Sequence, residues 1–108
     1  MASNHRQRRL RAAAPAPSAT RETLLSRARR LRRRGEQRRA MLLLRDAAYG
    51  DRHDAALWTS YADQCRRAGK REQAVQALLH AIWLRERQDD PKRANVTRLL
   101  LNDLRHAA

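Results

Sequence analysis

A chain of 108 residues with 25 Lys and Arg against 11 Asp and Glu, a formal charge of +14, has room for one modest core and favours anionic partners over cationic ones. Its single cysteine excludes an intramolecular disulfide, and no apolar run is long enough for a membrane-spanning helix. Phenylalanine is absent and Val and Ile are scarce, whereas Ala, Leu and Arg abound, so an all-α fold in a reducing, cytoplasmic setting is expected.

Residues 1–20 hold four Arg, no acid, and the interrupting Pro15 and Pro17. They offer a core no periodic apolar face and are expected to form a disordered basic arm. Their Arg- and Ala-rich composition also matches a mitochondrial presequence, while the apolar part is too short for a secretory signal. From Thr20 onward the pattern is helical. Gly35, Gly50, Gly69 and Pro91 divide it into five predicted helices at about 21–34, 37–49, 55–68, 71–87 and 91–106. Thr20 is the expected cap of the first, with Glu22 in its first turn. Asp54 caps the third, and Asp90 followed by Pro91 opens the fifth.

The stretch from Leu24 to Ala81 carries an internal repeat. A shift of 34 residues takes Gly35 to Gly69, Ala28 to Ala62, Ala40 to Ala74, Leu44 to Leu78 and Ala47 to Ala81. The same shift takes Leu24 to Trp58 and Leu31 to Cys65. Small or apolar character recurs at each helical position, as two stacked helix pairs require.

In the second copy, Trp58, Tyr61, Ala62 and Cys65, then Gly69, Ala74, Leu78 and Ala81, stand at the signature positions of the tetratricopeptide repeat, whose unit the segment resembles. Trp58, Gly69, Ala74 and Ala81 match outright, and the others keep apolar or small character. Glu86 replaces the closing proline, and in the first copy Leu24 replaces the tryptophan and Arg27 an apolar residue. "LWTSYAD" is also similar to the half-a-TPR variant, which is linked to RNA processing. The resemblance implies a TPR-like domain over 21–108: antiparallel helix-turn-helix units at about 21–54 and 55–88 and a capping helix at about 91–106, wound as a short right-handed α-solenoid.

The resemblance assigns Trp58, Tyr61 and Cys65 to packing. It also implies a concave groove lined by the first helix of each unit, which places Arg29, Arg32 and Arg33 beside Arg66 and Arg67, with Asp63 as the local acidic exception. Arg32 with Arg66 and Arg33 with Arg67 are each one period apart. The planar guanidinium suits carboxylate or phosphate through paired hydrogen bonds. The family's clamp for a terminal carboxylate has no match here, since its positions hold Leu25, Arg29 and Ser60.

Trp83 falls between core positions and is an expected interface anchor. On the last helix Val96, Leu99, Leu100, Leu101 and Leu104 form an apolar surface wider than one neighbour covers, so part of it, with Leu100, Leu101 and Leu104 as candidate contacts, is expected to meet a second copy or a larger partner. His5, His53, His80 and His106 lack ligand spacing, and there is no phosphate loop, nucleophile elbow or paired-acid motif. No catalytic residue, metal or cofactor is expected. The expected function is a non-catalytic adaptor that holds an acidic protein segment in the Arg-lined groove. The alternative is a nucleic-acid accessory protein binding phosphates through the arm and through Arg30, Arg34, Arg38 and Arg39. A high-GC genome would also enrich arginine, which the composition leaves open.

Overall fold

The computed structural model describes residues 17–107, with side chains from Arg21 onward. Five helices make up the described chain: α1 (Pro17–Arg33), α2 (Gln37–Gly50), α3 (Ala55–Arg67), α4 (Arg71–Arg87) and α5 (Pro91–His106). No strand occurs among the described residues, and each helix packs on the next in sequence. The predicted boundaries of α2 to α5 agree with these to within a residue.

The start of α1 differs. Pro17 occupies its first position, so Thr20 lies inside the helix and does not cap it. Proline fits this place because its missing N–H has no intrahelical partner there and its fixed φ is helical. The predicted arm therefore loses residues 17–20 to α1, and residues 1–16 lie outside the described residues.

One backbone device makes three of the four turns. Glu36 N–H donates to the Leu31 carbonyl at 2.9 Å, Lys70 to Cys65 at 2.8 Å and Asp90 to Arg85 at 2.8 Å, each spanning the end of a helix. The residue before each donor is left-handed: Gly35 at φ 81°, Gly69 at φ 77° and Asp89 at φ 56°. This is the Schellman closure, which reverses the chain in three residues and satisfies carbonyls that the helix end would otherwise leave open. A Cβ on Gly69 would meet nothing within 4 Å, so its replacement carries only the backbone term. Gly69→Ala is expected to destabilise the fold by about 1 kcal/mol, and Asp89→Gly to stabilise it by a comparable or smaller amount, because only the second change relieves a left-handed side-chain residue. Urea midpoints that shift in the same direction for both would contradict this account.

The starts of α3 and α5 are capped as expected. The Asp54 carboxylate accepts from the N–H groups of Ala56 (3.1 Å) and Leu57 (3.2 Å), and Asp90 accepts from Arg93 at 3.3 Å. Asp54 also pairs with Arg21 at 2.8 Å, which ties the start of α1 to the start of α3 and sets those helices side by side in the same direction. Neighbours in sequence run antiparallel. The Gln64 amide near the end of α3 donates to the Gln37 carbonyl at the start of α2 (3.0 Å), and Gln88 after α4 donates to the His53 carbonyl before α3 (2.8 Å).

The core follows the 34-residue repeat. Ala28 and Ala62, Ala40 and Ala74, and Leu44 and Leu78 are all buried. Alanines at these crossings bring helix axes close, and Leu fills the groove between them. The second copy is better sealed than the first: Trp58, Cys65 and Ala81 are buried, while Leu24, Leu31 and Ala47 are only partly so. The first copy has α1 as its outer wall, with no further helix outside it among the described residues.

On α5 the buried side chains are Ala94, Thr97, Leu101 and Leu104, one narrow stripe facing the rest of the core. Leu101 and Leu104 are therefore core residues, which corrects their expected place in an exposed contact. Their spacing of four and seven from Thr97 turns them onto α4, whereas Val96 (58% exposed), Leu99 (63%) and Leu100 fall outside the stripe.

Candidate functional site

Two depressions meet along one side of the array, where α1, α3 and α5 present their outer faces. The first, about 250 Å³, lies between α1 and α3 and is lined by Leu25, Arg29, Arg32, Thr59, Ser60 and Asp63 over a floor of Ala28 and Leu44. The second, about 490 Å³, lies between α3 and α5 and is lined by Thr59, Asp63, Arg66, Leu100 and Asp103 over a floor of Ala62, Leu78 and Leu104. Thr59 and Asp63 border both, so α3 is a low ridge within one continuous groove. The helices that supply its walls are the first of each pair and the fifth.

Asp63 organises the charge in the groove. Its carboxylate accepts from Arg66 at 2.8 Å and from Arg67 at 2.9 Å, and Arg32 reaches across from α1 to 4.0 Å. Burial by itself would raise the Asp63 pKa, but the hydrogen bonds from Arg67 and Arg66 outweigh it and hold the carboxyl below its ordinary value of 3.8. A depressed folded-state value contributes stability above the unfolded pKa that disappears as pH falls through the folded one. Lowering the pH from about 5 to about 2.5 is therefore expected to reduce the urea midpoint of the wild type more than that of Asp63→Asn. The difference is small because the carboxylate is 43% exposed and screened by water.

A guanidinium has five N–H donors, so a bond to Asp63 leaves Arg66 further donors for a ligand. Arg29 has no carboxylate partner among the described residues and donates only to the Ser26 hydroxyl at 3.2 Å. Together Arg29, Arg32 and Arg66 put three positive charges along the groove against Asp63 and Asp103. Leu25 and Leu100 supply apolar contact at its two ends.

The expected site residues thus separate. Arg29, Arg32, Arg66 and Asp63 line the groove. Arg33 and Arg67, each the last residue of its helix, border neither depression, and the Arg67 guanidinium turns back onto Asp63. Leu100 lies at the groove edge and is partly exposed, Leu104 is buried in its floor and Leu101 is buried in the core. Trp83 is half exposed and lines a separate cleft that shares no residue with the groove. The sequence placed Leu25 at a groove position and Leu100 in a separate contact on the last helix, but not the two together as apolar walls of one groove. Their only signal is helical register: Leu25 lies four residues before Arg29, one turn away on the same face.

Trp58, Tyr61 and Cys65 pack inward. Trp58 donates its indole N–H to the Arg52 carbonyl at 3.1 Å, and burial followed by a hydrogen bond with Cys65 pushes the Tyr61 phenol up to about 12. Burial likewise pushes the Cys65 thiol up, which holds it protonated in the core. No three His, Cys, Asp or Glu side chains among the described residues are grouped to hold a metal ion, and no helix among them is long and apolar enough to cross a membrane. No protein-family model matches this sequence, and no curated protein matches it.

Proposed function

We propose that the protein is a tetratricopeptide-like adaptor that holds an acidic segment of a partner protein in the groove across α1, α3 and α5. The observation that carries this reading is the convergence of Arg29, Arg32 and Arg66 with Leu25 and Leu100 on one continuous surface. Carboxylates of the partner bridge to the guanidinium forks, and apolar side chains between them settle against Leu25 and Leu100 over Ala28 and Ala62. Asp63 balances part of the positive charge while no partner is bound, and the partner's carboxylates compete with it for Arg32 and Arg66. No bond is made or broken in this function, and the reducing cytoplasm suits a chain with one buried thiol.

The outer face of α5, where Val96, Leu99 and Leu100 remain exposed, is in the same proposal a protein contact that extends the array beyond the fifth helix. The groove is tested by titrating the full chain with a peptide that alternates acidic residues with leucine. Saturable binding that weakens with salt and is absent for the matching basic peptide is expected; equal binding of the two peptides contradicts it.

A further inference from the structure

All four aromatic residues of the chain meet in a single run on the side of α3 away from the groove. The Tyr49 and Trp58 rings lie 5.2 Å apart, Trp58 and Tyr61 6.1 Å, Trp58 and His80 4.3 Å, and His80 stacks on Trp83 at 5.7 Å with 22° between planes. Trp58 and Tyr61 are the buried floor. Tyr49 on α2 (54% exposed) and Trp83 on α4 (50% exposed) stand as walls of a cleft of about 820 Å³ that opens to solvent. Gln73 and Gln76 add hydrogen-bonding edges along α4.

The cleft is built more firmly than surface aromatics require. The Arg52 carbonyl accepts from Trp58 and lies 3.3 Å from His80 Nε2, which ties the Trp58 and His80 rings to one loop. Half-exposed tryptophan and tyrosine on either side of a fixed aromatic floor leave apolar ring surface open to water.

The charge around the cleft selects the ligand. Arg52 lines it, and Arg87 lies 5.0 Å over the Trp83 ring; neither has a carboxylate partner among the described residues. Arg45, one turn before Tyr49, pairs with Asp46 at 3.3 Å and lies close enough to act on Tyr61. Glu72 is the only acid in the lining. We propose that this cleft binds a single-stranded nucleic acid, its bases stacking between Tyr49 and Trp83 and its phosphates meeting Arg45, Arg52 and Arg87. A single strand combines planar rings with one negative charge per unit, which matches aromatic walls flanked by the guanidinium groups of Arg52 and Arg87, neither of which has a carboxylate partner among the described residues. An acidic peptide supplies the charge without the rings. A base displaces Arg87 from the indole face and frees it for the adjoining phosphate. This site stands on residues that the groove does not share.

The test is a titration of the full chain with a twelve-nucleotide uridine strand, its thymidine DNA counterpart, and an abasic strand of equal charge, read by tryptophan fluorescence and by anisotropy of labelled strands. The expected result is quenching and tighter binding by the base-bearing strands than by the abasic one; preference between uridine and thymidine distinguishes RNA from DNA as the ligand. Trp83→Ala and Tyr49→Ala each lower affinity for the base-bearing strands by roughly tenfold and leave the abasic strand unaffected. Circular dichroism checks that both variants keep their helices. Equal binding of abasic and base-bearing strands, or unchanged affinity in both variants, overturns the proposal. Loss of strand binding on replacing Arg29, Arg32 and Arg66 overturns it too, since the strand would then occupy the groove. Displacement of the strand by the acidic peptide would do the same.

Discussion

Trp58→Ala is expected to cost about 3–5 kcal/mol, a large share of the roughly 5–13 kcal/mol available to a helical domain of this size. The indole sits where α2, α3 and α4 meet, buried against Tyr49, Tyr61 and His80. Its N–H bond to the Arg52 carbonyl also holds the α2–α3 loop, so removal leaves that carbonyl without its indole donor. Trp58→Phe keeps most of the packing and loses the hydrogen bond, and should cost roughly 1–2 kcal/mol. Urea unfolding followed by circular dichroism measures both. A tryptophan-to-alanine variant that unfolds at the wild-type midpoint would mean that the repeat is not held together by this residue.

The second large effect concerns binding. Replacing Arg29, Arg32 and Arg66 together with Ala should weaken capture of the acidic, leucine-containing peptide roughly a hundredfold, on the basis of about 1 kcal/mol for each solvent-accessible charge-assisted contact. Stability should change little, because all three guanidinium groups retain solvent access and none is part of the core. The paired control is Arg33→Ala with Arg67→Ala, which removes as much charge per position from residues outside the two depressions and should weaken binding by no more than about threefold. Asp63→Asn provides a change of opposite sign. It removes the acid that competes for Arg32 and Arg66, so affinity should rise several-fold. If the two arginine sets weaken binding equally, the peptide responds to net charge and the groove has no particular role.

Much of this architecture was legible before any coordinates, and the reasons are local. Gly35 and Gly69 announce left-handed closures, Asp54 and Asp90 carry side chains that reach their own helix starts, and a shift of 34 residues superposes Ala28, Ala40 and Leu44 on Ala62, Ala74 and Leu78. Each of these signals acts within a few residues, so sequence spacing carries it intact. One local signal misled: Thr20 looked like a cap, yet Pro17 starts the helix earlier. The end of α4 agrees with its predicted place although no glycine marks it, and Asp89 takes the left-handed position there. Aspartate tolerates that conformation better than most side chains but does not advertise it.

The candidate site was legible in part. The period located Arg32 and Arg66, because residues one repeat apart fall on matching faces of parallel helices. It could not separate them from Arg33 and Arg67, since adjacent residues at a helix end differ only in which neighbour still stands opposite. Nor could it show that Arg32 crosses from α1 to Asp63 on α3, a contact 31 residues apart in the chain.

By itself the sequence determined the helices, their turns, the repeated core and the surplus of positive charge, all of which follow from dihedral preference, periodicity and composition. The tertiary structure decided which residues share a surface. Stacking α1, α3 and α5 on one side brought three arginines and two leucines into one groove, and set Tyr49, Trp58, His80 and Trp83 in a cleft on the other. Those neighbours come from different helices and lie up to 75 residues apart in sequence, and only the packing of the helices makes them adjacent.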